Sequence, residues 1–124
     1  MNNVETAVVL ESSDYRVEPQ SWGRLTWFAD AALGGAVGVT AGECRILPGK
    51  ENPRHHHPNC EEVLRVLQGT IEHTVGNAGA KVVMHPGQTI VVPAGVVHNA
   101  RNIGTDEAVL AICFSNARRQ TVGE

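Results

Sequence analysis

The chain has 124 residues, 42% apolar and 19% charged, with 10 basic against 13 acidic side chains and a formal charge of −3. That length holds one core and not two, the balance is globular rather than disordered, and no basic surface for nucleic acid is implied. Thirteen glycines and six prolines supply turns for many short strands, and six histidines stand out.

The first residues, MNNVETAVVLESSDYR, lack a basic start, a signal-length apolar run and a small-residue cleavage site. No stretch reaches the roughly 20 apolar residues of a membrane span. Cys44, Cys60 and Cys113 are an odd number at wide spacings without a CxxC pair. Together these lead us to expect a cytoplasmic protein with no membrane partner and no disulfide scaffold. Cys60, inside the histidine segment, reads as a packed thiol.

Val4 to Leu10 alternates and predicts a short leading strand, of the kind that pairs across a subunit boundary, ahead of the acidic segment Glu11 to Glu18. Ser21 to Asp30 carries Trp22, Trp27 and Phe28, three of the five aromatics, and is expected to close one end of the core. Gly35 to Ile46 places Gly38, Thr40, Gly42, Cys44 and Ile46 on one parity, a strand whose inner face leaves space. Leu47 to Lys50 turns. Val63 to Leu67 and Thr70 to Val75 are further strands, the second with Ile71, His73 and Val75 on one face. Gly76 to Gly79 reads as a hairpin turn into a strand over Ala80 to Met84. Thr89 to Val92, Val96 to Asn102 and Glu107 to Phe114 complete the set. No segment holds a 3.6-residue period, so the expected fold is all-β, a sandwich or barrel. With no repeat or low-complexity tract, residues 1–124 read as one domain.

His55 and His57 are two apart, so their imidazoles share a face of an extended strand. Pro58-Asn59 then bends the chain, and Glu61 or Glu62 returns a carboxylate towards them. His98 follows a Pro-Ala-Gly turn and is a fourth candidate ligand. Three imidazoles and one carboxylate suit one divalent first-row metal, Fe, Mn, Ni, Co or Zn, with two octahedral positions left for water, substrate or dioxygen.

The spacings around these residues resemble the cupin superfamily. Its first motif, G-x5-H-x-H-x3,4-E-x6-G, is matched by Gly49, His55, His57, Glu62 and Gly69. Its second, G-x5-P-x-G-x2-H-x3-N, is matched by Gly87, Pro93, Gly95, His98 and Asn102. The resemblance implies a double-stranded β-helix, or jelly roll, with barrel core over about 35–115 and an N-terminal strand and arm over 1–34. It implies metal ligands at His55, His57, Glu62 and His98, leaving Glu61 and His56 facing away. Gln88 departs from the aspartate frequent after the second motif's first glycine, a structural position.

His73 shares the inner face and is a candidate acid–base residue beside the metal; the alternative is a core histidine bonded to backbone. Asn102 reads as structural or substrate-facing, His85 as a turn residue, and Arg54 as solvated or as a carboxylate attractor at the mouth. The low aromatic count predicts a pocket walled by small aliphatic side chains, hence a small-molecule substrate. The resemblance points to a metal-dependent enzyme, dioxygenase-like from its ligand set. An isomerase, decarboxylase or lyase, or a non-catalytic binding or sensing module, are the alternatives. Small members of the family are commonly dimers, and a homodimer is expected.

Overall fold

Side chains of alternating polarity need one wet and one dry face, and thirteen short strands among the described residues provide them. The computed structural model describes residues 2–4 and 6–124. In chain order the strands are β1 (Asn2–Val4), β2 (Ala7–Val9), β3 (Arg16–Gln20), β4 (Gly23–Ala29), β5 (Thr40–Ile46), β6 (His55–His56) and β7 (Glu62–Gln68). They continue with β8 (Ile71–Val75), β9 (Ala80–Met84), β10 (Thr89–Val92), β11 (His98–Asn102), β12 (Ala108–Phe114) and β13 (Val122–Gly123). One sheet has the order β10-β7-β12-β5-β4-β3, the other β13-β6-β11-β8-β9, and every pairing is antiparallel. The two sheets close on each other as the expected double-stranded β-helix.

The leading segment departs from expectation. Val4 and Ala7 pair across a turn, so β1 and β2 form a separate hairpin instead of one strand from Val4 to Leu10; Glu5 lies outside the described residues. Two further strands went unread. β3 holds Pro19, which cannot donate to a ladder and is tolerated because β3 is an edge strand paired only with β4. β13 is two residues long and has no internal period. Both β3 and β4, from the segment expected as an arm, are built into the six-stranded sheet.

Inward positions follow the parity of the sequence. In β5, Thr40, Gly42, Cys44 and Ile46 are buried, and in β7, Glu62, Leu64 and Val66. Trp27 and Leu110 are fully buried between the sheets. Gly42 does not leave empty space. A Cβ there would lie 2.5 Å from the Thr26 carbonyl oxygen and 2.6 Å from Cε3 of Trp27, so the missing side chain is what lets Trp27 lie flat against β5. Asn102 holds a corner. Its Nδ2 donates to the carbonyls of Ile46 and Asp106, each at 2.8 Å, and its Oδ1 accepts from Gly104 N at 2.9 Å. With no exposure and these bonds, it is structural.

Candidate metal centre

The four candidate ligands come from both sheets. β6 pairs with β11 so that His55 faces His98 in register. His57 follows β6 directly, its carbonyl accepting from Gly95 N at 2.9 Å, which ties the first histidine segment to the turn preceding His98. Glu62 opens β7 in the opposite sheet and reaches inward from there. One ligand atom from each of His55, His57, Glu62 and His98 lies within 4.8 Å of the others.

Backbone carbonyls orient all three rings. Nδ1–H of His55 donates to Pro53 O at 2.7 Å, that of His57 to Gln120 O at 2.9 Å, and that of His98 to Val96 O at 2.9 Å. Each bond places the proton on Nδ1 and turns the Nε2 lone pair inward. His98 Nε2 stands 2.8 Å and His57 Nε2 3.3 Å from the same oxygen, Oε1 of Glu62. His57 Nε2 is buried without a hydrogen-bond partner. Four acceptors converge, three of them buried and His55 half-buried, and only a proton or a cation can sit among them without repulsion. The donor set therefore fits a borderline divalent ion.

The titration of these groups has the same origin. Burial alone would raise the Glu62 carboxyl, but the hydrogen bonds and charges of His57 and His98 outweigh it and hold it at about 2. His98 is raised, because the bond and charge of Glu62 overcome its burial. Burial, the largest influence, lowers His55 and His73 each to about 4. Between pH 6.5 and 4 the unfolded chain thus binds protons that these two folded rings refuse, and stability is lost as pH falls. Glu62 adds to the loss as pH falls from 4.5 towards 2. His98 acts oppositely: its stabilisation is complete below 6.5 and lost as pH rises through its raised value. The metal-free protein should therefore melt highest near neutrality. From pH 6.5 to 4 its stability should fall by an amount on the order of 3 kcal/mol for each of the two rings, and its melting midpoint should fall with it. Calorimetry across that range checks this, and a midpoint that rose on acidification would contradict it.

The ligands line one end of a cavity of about 270 Å³ between the sheets. His73, on β8, lines it too, 1% exposed, its ring stacked on that of His98 at 5.7 Å and 18°. Neither of its nitrogens has a hydrogen-bond partner, so the backbone-bonded alternative does not hold. His56 and Glu61 are absent from the cavity lining and from the ligand cluster. His85 is a turn residue, its N–H donating to Gln88 Oε1 at 2.7 Å, so Gln88 takes the structural place the sequence suggested.

Two expectations are corrected. The wall is not simply small and aliphatic: Trp22, Trp27 and Phe114 line it with Leu64, Leu110 and Ile112. Composition counts aromatics, whereas strand parity decides which face the cavity, and three of the five do. Arg54 is not solvated either. Its Nε bonds Glu124 Oε2 at 2.5 Å and its Nη2 donates to Gly76 O at 2.9 Å. The segment after β12 was missed altogether. It carries Gln120 O, the orienting acceptor for His57, a Thr121 hydroxyl 3.2 Å from the same His57 Nδ1, and Arg119 at the cavity. It has no motif, and its pairing with β6 and the bonds of Asn59 to Arg118 O and Gln120 N bring it to the site.

The cupin domain family matches residues 42–114. Among curated proteins, the chain is 33% identical over 86 residues to putative germin-like protein 3-4 of Oryza sativa subsp. japonica, covering 64% of this chain and 38% of that protein. It is 30% identical over 86 residues to oxalate oxidase 1 of Hordeum vulgare, covering 64% and 43%. The chain thus spans less than half the length of these relatives. Among solved structures, an oxalate decarboxylase of Lactobacillus farciminis superposes with TM-score 0.82 at 23% identity, over 90% of this chain and 34% of that one. An oxalate oxidase in complex with glycolate superposes with TM-score 0.73 at 26% identity, over 80% and 53%. The cytoplasmic expectation is overturned here, since the curated relatives are germin-like proteins and an oxalate oxidase, which are extracellular plant proteins. Unpaired cysteines at wide spacings do not fix a compartment, because a barrel of this size can close its core without disulfides.

Proposed function

The chain belongs to the cupin family, and we propose that it is a metal-dependent enzyme acting on a small organic molecule. In this reading His55, His57, Glu62 and His98 hold one divalent first-row metal, and residues 1–124 work as one cupin unit. The observation that carries it is the convergence of three inward Nε2 lone pairs and one carboxylate in a largely apolar cavity between the sheets. A metal bound there supplies Lewis acidity and coordination positions for substrate oxygen atoms. The protein's own part is to orient the rings through backbone carbonyls and to exclude bulk water with Trp27, Leu110 and Phe114. It also holds His73 uncharged beside the site, able to take or give one proton.

Oxygen-consuming chemistry is the finer reading, supported by the ligand set and by likeness to an oxalate oxidase at 30% identity. Oxygen uptake by metal-loaded protein, across oxalate, enols, diketones and catechols, is expected to accompany loss of one substrate class. Turnover that continues under strict anaerobiosis would replace this with the decarboxylase, isomerase or lyase alternative. We also place the protein in a homodimer, supported by the apolar outer face of the larger sheet, where Val91, Val63 and Cys113 lie in register and exposed.

A further inference from the structure

The cavity carries a second charged group that the metal site does not use. Arg119 enters from the segment between β12 and β13 and lines the cavity. Its Cζ sits 4.2 Å from the centroid of Trp27 and 5.2 Å from that of Phe114. Phe114 in turn meets His57, ring to ring, at 4.8 Å, so one aromatic side chain touches both the guanidinium and a candidate ligand. Only one of the five guanidinium N–H groups has an assigned acceptor, Nη1 donating to Thr121 Oγ1. Among the described residues Arg119 forms no ion pair, and Glu18 and Glu62 act on it only from a distance.

The charges lining the cavity are unbalanced. Glu62 is its one acidic side chain, and that carboxylate is engaged by His57 and His98. Arg54 and Arg119 are the basic ones, and Arg54 is held by Glu124. A half-buried guanidinium stacked on aromatic rings, with donors to spare and no ion-pair partner among the described residues, is a site for an anion. The indole Nε1 of Trp27, buried without an acceptor beneath it, is a further unused donor in the same wall.

We infer that Arg119 is the specificity residue of the cavity, anchoring an anionic group, a carboxylate by its planar fit, separate from the group that the metal ligands receive. This rests on the metal reading above, since the other end of the substrate is what the ligand cluster receives. The preferred substrate then carries a metal-binding oxygen group and a separate carboxylate joined by a short aliphatic span, which the apolar wall accommodates.

Succinate, its monoamide succinamate and butyrate share one carboxylate and the same span, and only succinate has a second. Their binding to manganese-loaded protein can be followed by intrinsic fluorescence, because both tryptophans of the chain line the cavity. Succinate should bind at least about tenfold tighter than the other two. Arg119→Met should remove about tenfold from succinate binding and change butyrate less than twofold, with Arg119→Lys recovering part of the loss. Equal binding of the three probes by the unmodified protein, or an equal loss for all three in Arg119→Met, would overturn the assignment. If the methionine variant does not fold, the unmodified protein and the lysine variant decide it. Manganese retention is measured separately. A protein unable to hold the ion overturns the metal reading; in that metal-free protein Arg119→Met should weaken all three carboxylates alike, and no loss for any of them would overturn the assignment of Arg119.

Discussion

His57→Ala and His98→Ala are each expected to strip the purified protein of metal, while His56→Ala leaves about one divalent ion per chain. All three are histidines, and they differ in where their lone pairs go. His98 Nε2 and His57 Nε2 lie 2.8 and 3.3 Å from one carboxylate oxygen of Glu62, and each ring is fixed from behind by a backbone carbonyl. Removing either takes away an oriented ligand and leaves a buried acceptor unanswered. Loss of an outer hydrogen bond to a ligand costs roughly 10- to 100-fold in metal affinity, so loss of the ligand itself should exceed about 100-fold. His56 lies between two inward positions and outside the cluster. Elemental analysis of protein purified without a histidine tag measures this. Equal loss in all three variants would mean that the parity of β6 does not sort ligands from neighbours, and a folded unmodified protein without metal affinity would remove the centre itself.

The parity argument also shows how far the sequence could be read. The strand β8 was legible because it alternates cleanly, and β7, β10 and β12 because each is a short apolar or β-branched run bounded by turn residues. The candidate ligands were legible because two of them lie on one extended segment and the other two at fixed distances from turn glycines. What failed had no local signal. Val4 to Leu10 alternates as a strand should, yet whether such a run continues or folds back depends on a turn that alternation does not mark. Trp27 and Phe114 reach the cavity because β4 and β12 face inward there, whereas a count of five aromatics carries no direction. Arg119, Gln120 and Thr121 meet the site through the pairing of Val122 and Gly123 with β6 and through the bonds of Asn59 to Arg118 O and Gln120 N, all roughly 60 positions away in the chain. Contacts of that range are made by topology.

His73 is where stability and activity should part. Its ring is 1% exposed, stacked on His98, and without a hydrogen-bond partner on either nitrogen. Burial lowers it to about 4, so near neutrality it is an uncharged imidazole with one unspent donor and one unspent acceptor. A polar group buried in that condition costs about 1–3 kcal/mol, and a side chain kept only for packing would not incur that cost. His73→Leu, close in volume and without polar atoms, should therefore stabilise the protein by about 1 kcal/mol and raise the melting midpoint by roughly 4 °C. Metal content should not change, because His73 is outside the ligand cluster. Turnover of the substrate identified by oxygen uptake should fall by about 100- to 10,000-fold, the usual contribution of a positioned proton donor or acceptor. The acidic limb of the pH–rate profile should vanish with it, which a purely structural role would not cause. A leucine variant with undiminished turnover would return His73 to the core. One that lost its metal would show instead that the ring supports His98 by stacking, with proton transfer left to another group.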